Sequence, residues 1–162
     1  MAVIVLLSNW LVTIAINDWL TWGAFIFPFA FLVNDLTNRF LGARAARKTV
    51  IIGFIIGVLL SLQIEIRIAL ASACAFFTAQ MLDVEIFSRL NGQKINEKKW
   101  WYAPFFSSSM ASIIDTILFF SIAFVGSGLA WLGWAVGDLA VKLLVAAFAL
   151  MPYRFFCNAY LR

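Results

Sequence analysis

Apolar runs of near-membrane length follow one another along almost the whole chain. They occupy about residues 2–16, 20–38, 49–64, 68–87, 103–124 and 130–151. A helix needs roughly 20 mainly apolar residues to cross the hydrocarbon core of a bilayer. Each interruption is short, and the longest connection is about residues 88–100. A soluble domain of this size must present much of its chain to water. Here 64% of the 162 residues are hydrophobic and only 12% are charged, against about 45–50% and about 25% in soluble domains. That composition excludes an ordinary cytosolic enzyme and a disordered chain. The fold class it predicts is all-α: a polytopic membrane protein of six transmembrane helices, one integral membrane domain over residues 1–162.

The prolines punctuate these runs. Pro28 lies in the middle of the second and predicts a kink there, because it removes a backbone hydrogen bond. Pro104 opens the fifth run, where its missing N–H costs nothing, and Pro152 closes the sixth. The first run is the shortest, which leaves open a tilted or re-entrant element instead of a full crossing. It lacks the basic start and the cleavage site of a signal peptide, so it is expected in the mature chain.

Charge supplies the orientation. With six crossings, one side collects Arg39, Arg44, Arg47, Lys48, Arg89, Lys94, Lys98, Lys99, Arg154 and Arg162. The other side holds Arg67, and Lys142 falls inside the sixth run. Lys and Arg concentrate in cytoplasmic loops, so both termini are expected in the cytoplasm. The same rule accounts for the net charge of +4, so no nucleic-acid partner is expected.

Some chemistry is absent. The chain has no histidine, which excludes His-based metal sites, Ser-His-Asp triads and imidazole proton shuttles. Cys74 and Cys157 form no CxxC pair, and neither a disulfide nor a metal site is expected. No P-loop is present, so the chain cannot hydrolyse ATP itself. No cofactor is expected, and an enzyme reading finds no nucleophile with its base.

The candidate site residues are therefore the polar groups placed where lipid would penalise them, since ionisable side chains inside a membrane mark function by default. The second run carries Asn34, Asp35 and Asn38, with Asp35 and Asn38 on one helix face. They suit a polar solute, or equally a helix end entering the headgroups. The fourth carries Gln80 and Asp83 at the same spacing. That pair can read the edge of a heterocycle, or can join helices by hydrogen bonds. The fifth carries Ser108 among several serines, and Asp115 close to mid-bilayer with no cation near it in sequence. Asp138 and Lys142 are four apart in the sixth, with the acid first, and read as a self-neutralising structural ion pair. Trp101 sits in an aromatic group that suits the membrane interface, and could instead stack on a flat ligand. Gly53/Gly57 and Gly133/Gly137 form GxxxG spacings that suit close helix packing, within the bundle or between the copies of a homodimer.

Four strings carry a family resemblance: WGAFIFPFAFLVNDLTNRFLG, ASACAFFTAQMLDVEIFSRL, WWYAPFFSSSMASIIDTILFFSIAF and WAVGDLAVKLL. In this order they resemble the queuosine precursor transporters, also called the vitamin uptake transporter family. The resemblance covers roughly residues 20–145 and all four polar clusters. It departs at the first run, and at Asn34-Asp35, where many members carry Thr-Asp.

The resemblance implies a bacterial inner-membrane importer of 7-cyano- and 7-aminomethyl-7-deazaguanine, with queuine a further candidate. It implies a fold similar to the substrate-binding components of energy-coupling-factor vitamin transporters, with no ATPase module required. A binding-only subunit of an ATP-driven uptake system is the alternative. Asn34, Asp35, Asn38, Gln80, Asp83, Trp101, Ser108 and Asp115 are the expected solute-binding residues. A deazaguanine presents adjacent N–H donors that one carboxylate accepts together, and its carbonyl wants an amide donor. The expected depth of Asp35 and Asp83, nearer the cytoplasm, makes them either part of the site or an inner gate.

Overall fold

A computed structural model of the chain describes residues 1–61, 66–92, 100–128 and 131–160. The chain runs α1 (Ala2–Leu11), β1 (Ala15–Asn17), β2 (Leu20–Thr21), α2 (Gly23–Ile26), α3 (Pro28–Ser61), α4 (Ile66–Gly92), α5 (Tyr102–Phe124) and α6 (Trp131–Tyr160). The expected Lys94, Lys98, Lys99 and Arg162 lie outside the described residues.

Helix α3 is two helices joined at Gly42, whose φ of 79° and ψ of 168° are not helical. A positive φ is accessible to glycine at little steric cost. Contacts with α4 show that the chain reverses there. Before the break, Asn34 meets Gln80 and Asp83, Asn38 meets Val84 and Ser88, and Arg39 meets Asn91, so both helices run the same way. After it, Arg47 meets Glu85 and Phe54 meets Phe77, so they run oppositely. The second and third apolar runs are thus separate antiparallel helices, and the expected loop at 39–48 shrinks to one glycine.

The remaining elements alternate in the same up-and-down manner. Helices α5 and α6 are antiparallel, with Asp115 beside Lys142 and Phe124 beside Trp134. Among the described residues, α4, α5 and α6 contain segments long and apolar enough to cross a membrane: Ile66–Asn91, Tyr102–Phe124 and Trp131–Asn158. The halves of α3 fall outside that group: the first is too short, and the second carries Arg44, Arg47 and Lys48 in its first turns.

Three sequence expectations change here. The first run is not a full-length helix: α1 has ten residues and a rise of about 15 Å, with its start beside Gly53 and Val5 beside Gly57. The chain then turns through an antiparallel hairpin, where Trp19 N–H donates to the Asn17 side chain at 2.9 Å. Second, Pro28 begins α3 directly after the one-turn α2, so the expected kink is a break between two helices. Third, Pro152 lies within α6, which continues to Tyr160.

Both GxxxG faces are covered by this chain. Gly53 and Gly57 receive α1, and Gly133 and Gly137 receive the backbone of Asp18 and Trp19. The Trp134 indole donates to the Asn17 carbonyl at 3.2 Å and pins the hairpin to α6. The two faces that suggested a homodimer are thus occupied from within. Charge is segregated by end. Around the Gly42 turn, Arg47 and Arg89 both pair with Glu85 at 2.8 Å. At the other end Arg67 donates to the Ile122 carbonyl at 3.1 Å and to the Val125 carbonyl, satisfying acceptors at the α5 C-terminus.

Candidate functional site

Two polar clusters fill the interior between apolar layers. The first joins α3, α4 and α5 near the Gly42 end. The Asn34 amide donates to Asp83 Oδ2 at 2.8 Å and to the Gln80 carbonyl at 3.3 Å. Ser107 and Ser108 hydroxyls donate to the two oxygens of Asp35 at 3.3 and 3.0 Å. Asn38 donates to the Val84 carbonyl and to Ser88. Asn34, Asp35, Asn38, Gln80, Asp83 and Ser108 are all buried, so six expected binding residues come together. Gln80 is 0% exposed, yet neither its Oε1 nor its Nε2 has a partner. A buried polar atom without a partner costs about 1–3 kcal/mol. An amide held this way offers one acceptor and two donors to an incoming polar ligand.

The second cluster joins α5 and α6. The Lys142 ammonium lies 2.7 Å from Asp115 Oδ2 and 2.5 Å from Asp138 Oδ2. It also donates to the Thr116 hydroxyl at 3.1 Å, which itself donates to Asp138 at 2.9 Å. The Phe27 ring centroid is 5.0 Å from the same ammonium, a cation–π contact. This alters two expectations. Asp115 does have a cation, supplied by the neighbouring helix. The Asp138–Lys142 pair exists, but as part of a three-residue group of two carboxyls and one ammonium.

Lys142 also links the clusters. It lines a cavity of about 10 Å³ with Asp35, Ser108, Pro28, Phe31 and Tyr153. It lines a second, of about 20 Å³, with Asp115, Asp138, Phe27, Ser8, Asn9 and Ser72. Along α5 the step from Ser108 to Asp115 is about 11 Å. Each cavity has room for about one water and neither admits a bicyclic heterocycle, so the bundle is closed in this arrangement.

Trp101 is not at either cluster. It is 39% exposed and packs edge-on against Tyr102 and Phe105. Its interfacial character decides its position. The aromatic side chain that does reach the interior is Tyr153, which lines the first cavity and stacks with Trp100 at 6.5 Å. Sequence reasoning missed Tyr153 because it lies beyond Pro152, where the helix was expected to end. Among the described residues no three His, Cys, Asp or Glu side chains gather to hold a metal ion.

Comparison with known proteins places the chain among transporters. The family described as "Putative vitamin uptake transporter" matches residues 21–66 and 61–156. The "Queuosine precursor transporter" of Escherichia coli (strain K12) is 34% identical over 90% of this chain and 77% of its own. The "Probable queuosine precursor transporter" of Haemophilus influenzae (strain ATCC 51907 / DSM 11121 / KW20 / Rd) is 37% identical over 88% of this chain and 70% of its own. A Bacillus subtilis (strain 168) protein of the same description is 27% identical over 83% of this chain. No solved structure matches. These relatives are named as transporters, so the family is one of transporters and not of enzymes. The chain belongs to the vitamin uptake transporter family.

Proposed function

We propose that this protein imports queuosine precursors, 7-cyano- and 7-aminomethyl-7-deazaguanine and also queuine, across a bacterial inner membrane. The observation that carries the reading is the buried cluster of Asn34, Asp35, Gln80 and Asp83, with a Gln80 amide that has no partner. In this reading Asp83, steadied by Asn34, accepts the adjacent N–H donors of the guanine-like edge. Gln80 pairs with the ring carbonyl, and Asp35 with Ser108 completes the polar wall. Analogues lacking those donors leave the carboxylate unpaired, and this is the source of selectivity. Solute entry requires the helices around the cavities to part.

In this reading α1, the two halves of α3, α4, α5 and α6 make six passes, the first completed by the hairpin, with the Gly42 end and both termini on the cytoplasmic side. The fold is akin to the vitamin-binding components of energy-coupling-factor transporters, and the protein works without an ATPase module. Thermal stabilisation of the purified protein tests the solute. The 7-cyano and 7-aminomethyl deazaguanines should raise the melting temperature and vitamins should not; equal shifts, or none, refute the assignment. An impermeant thiol reagent applied to intact cells tests the orientation. A cysteine at Gly128 should react and one at Asn96 should not; the opposite pattern refutes it.

A further inference from the structure

With both carboxyls ionised, the group formed by Asp115, Asp138 and Lys142 carries one uncompensated negative charge in a buried setting. Asp115 and Lys142 are each 3% exposed and Asp138 6%. A buried net charge is expensive and calls for a neutralising partner. Asp115 spends only one oxygen on Lys142: Oδ2 lies at 2.7 Å, while Oδ1 is buried without any partner.

A second, independent feature lies on α4. The Ser72 hydroxyl is buried and also has no partner, and it lines the same 20 Å³ cavity as Asp115. The Ser8 hydroxyl and Asn9 lie on that wall too; Ser8 donates to the Gly23 carbonyl at 3.3 Å, leaving its oxygen lone pairs available. The free donors are thus a carboxylate oxygen and a hydroxyl, with the Ser8 oxygen beside them, all hard oxygens. Such sets select alkali and alkaline-earth ions over soft transition metals. The charge deficit is one, which selects a monovalent ion. The space suits a single water-sized occupant.

We propose that this cavity, bounded by Asp115, Ser72, Ser8 and Asn9, binds one sodium ion that couples to solute movement. The coupling half of this statement rests on the importer reading; the ion site does not. Asp115 Oδ1 and the Ser72 oxygen are its principal ligands, and the ion brings the Asp115–Asp138–Lys142 group to neutrality. Lys142 lines this cavity and the one beside Asp35, so filling the ion site acts directly on the side chain that separates it from the solute cluster.

Thermal unfolding of the purified full chain without solute is the test, with NaCl replacing choline chloride at constant ionic strength. Sodium should raise the melting temperature by about 3–6 °C at roughly ten times its Kd. Potassium should do so less. Ser72→Ala should fold normally and need about tenfold more sodium for the same shift. Asp115→Asn, which removes the net charge, should abolish the sodium response. In proteoliposomes an inward sodium gradient should accelerate uptake by the parent and not by Asp115→Asn. The proposal is overturned if sodium and choline give the same unfolding temperature. It is equally overturned if Ser72→Ala and Asp115→Asn keep the full sodium response, or if only a proton gradient drives uptake. It is overturned, too, if Asp115→Asn loses the 7-aminomethyl solute alone, which would make the solute's own ammonium the neutralising charge. Solute-induced stabilisation is read separately, so loss of the ion response leaves the solute assignment standing.

Discussion

Replacing Asp83 with asparagine separates binding from folding. The exchange keeps the side-chain shape but turns one acceptor into a donor. The Asn34 amide donates to Asp83 Oδ2 at 2.8 Å, and the new amide oxygen can accept that bond, so the α3–α4 contact survives. The variant also removes one of two buried carboxylates, Asp35 and Asp83, that share the cluster. Stability should therefore hold, or rise by up to about 1 kcal/mol, because an unpaired charge no longer has to be buried. Binding should behave oppositely. The solute's N–H donors would meet an N–H₂ group in place of an oxygen, losing a charge-assisted hydrogen bond worth about 1.5–3 kcal/mol. That loss is a fall in affinity of about ten- to a hundredfold. Titration of the purified variant with 7-cyano-7-deazaguanine, alongside its thermal unfolding, reads both quantities. A variant of unchanged stability and unchanged affinity refutes the role given to Asp83. So does one that fails to fold.

Two further pairs of substitutions follow from the geometry. Lys142→Met strands Asp115 and Asp138 beside each other and should cost about 3–5 kcal/mol, seen as lost expression or a lowered melting temperature. Asp138→Asn leaves Asp115 paired with Lys142 and should cost less than about 1 kcal/mol; equal losses in the two variants contradict the three-residue arrangement. Gly137→Ala places a methyl group on the Trp19 carbonyl, and should lower stability by about 1–3 kcal/mol. The same exchange at Gly126, where an added Cβ meets nothing within 4 Å, carries only the strain of its φ of 80°, about 1–2 kcal/mol. An unchanged melting temperature for Gly137→Ala shows that the hairpin does not rest on α6.

The helices were legible because burial in lipid demands unbroken apolar runs, and residues 103–124 differ from α5 by a single position. The buried polar cluster was legible for the same reason: Gln80 and Asp83, placed where lipid would surround them, have nowhere to go but inward. What failed was of two kinds. Contacts distant in sequence left no local trace, so Asp115 looked unaccompanied although Lys142 reaches it across 27 positions. Local signals were also outvoted by hydropathy. Apolar residues carried the first run to Ile16, although the helix ends at Leu11 and Ala15–Asn17 form a strand of the hairpin. Gly42 was read as part of a loop, although a glycine amid helix-forming residues can reverse a chain alone. The stacking expectation fell on Trp101 and passed over Tyr153, because an aromatic residue suits an interface and a ligand equally well, and only tertiary position separates the two.

Uptake into liposomes containing the purified protein alone tests the central claim most directly. Labelled 7-cyano-7-deazaguanine should accumulate inside these vesicles faster than in protein-free ones, with no ATP and no second protein present. Unlabelled 7-aminomethyl-7-deazaguanine should compete, and Asp83→Asn should cut the difference about tenfold or more at solute concentrations below the parent's Kd. Uptake no faster than in empty vesicles, or uptake that Asp83→Asn leaves intact, would contradict the account.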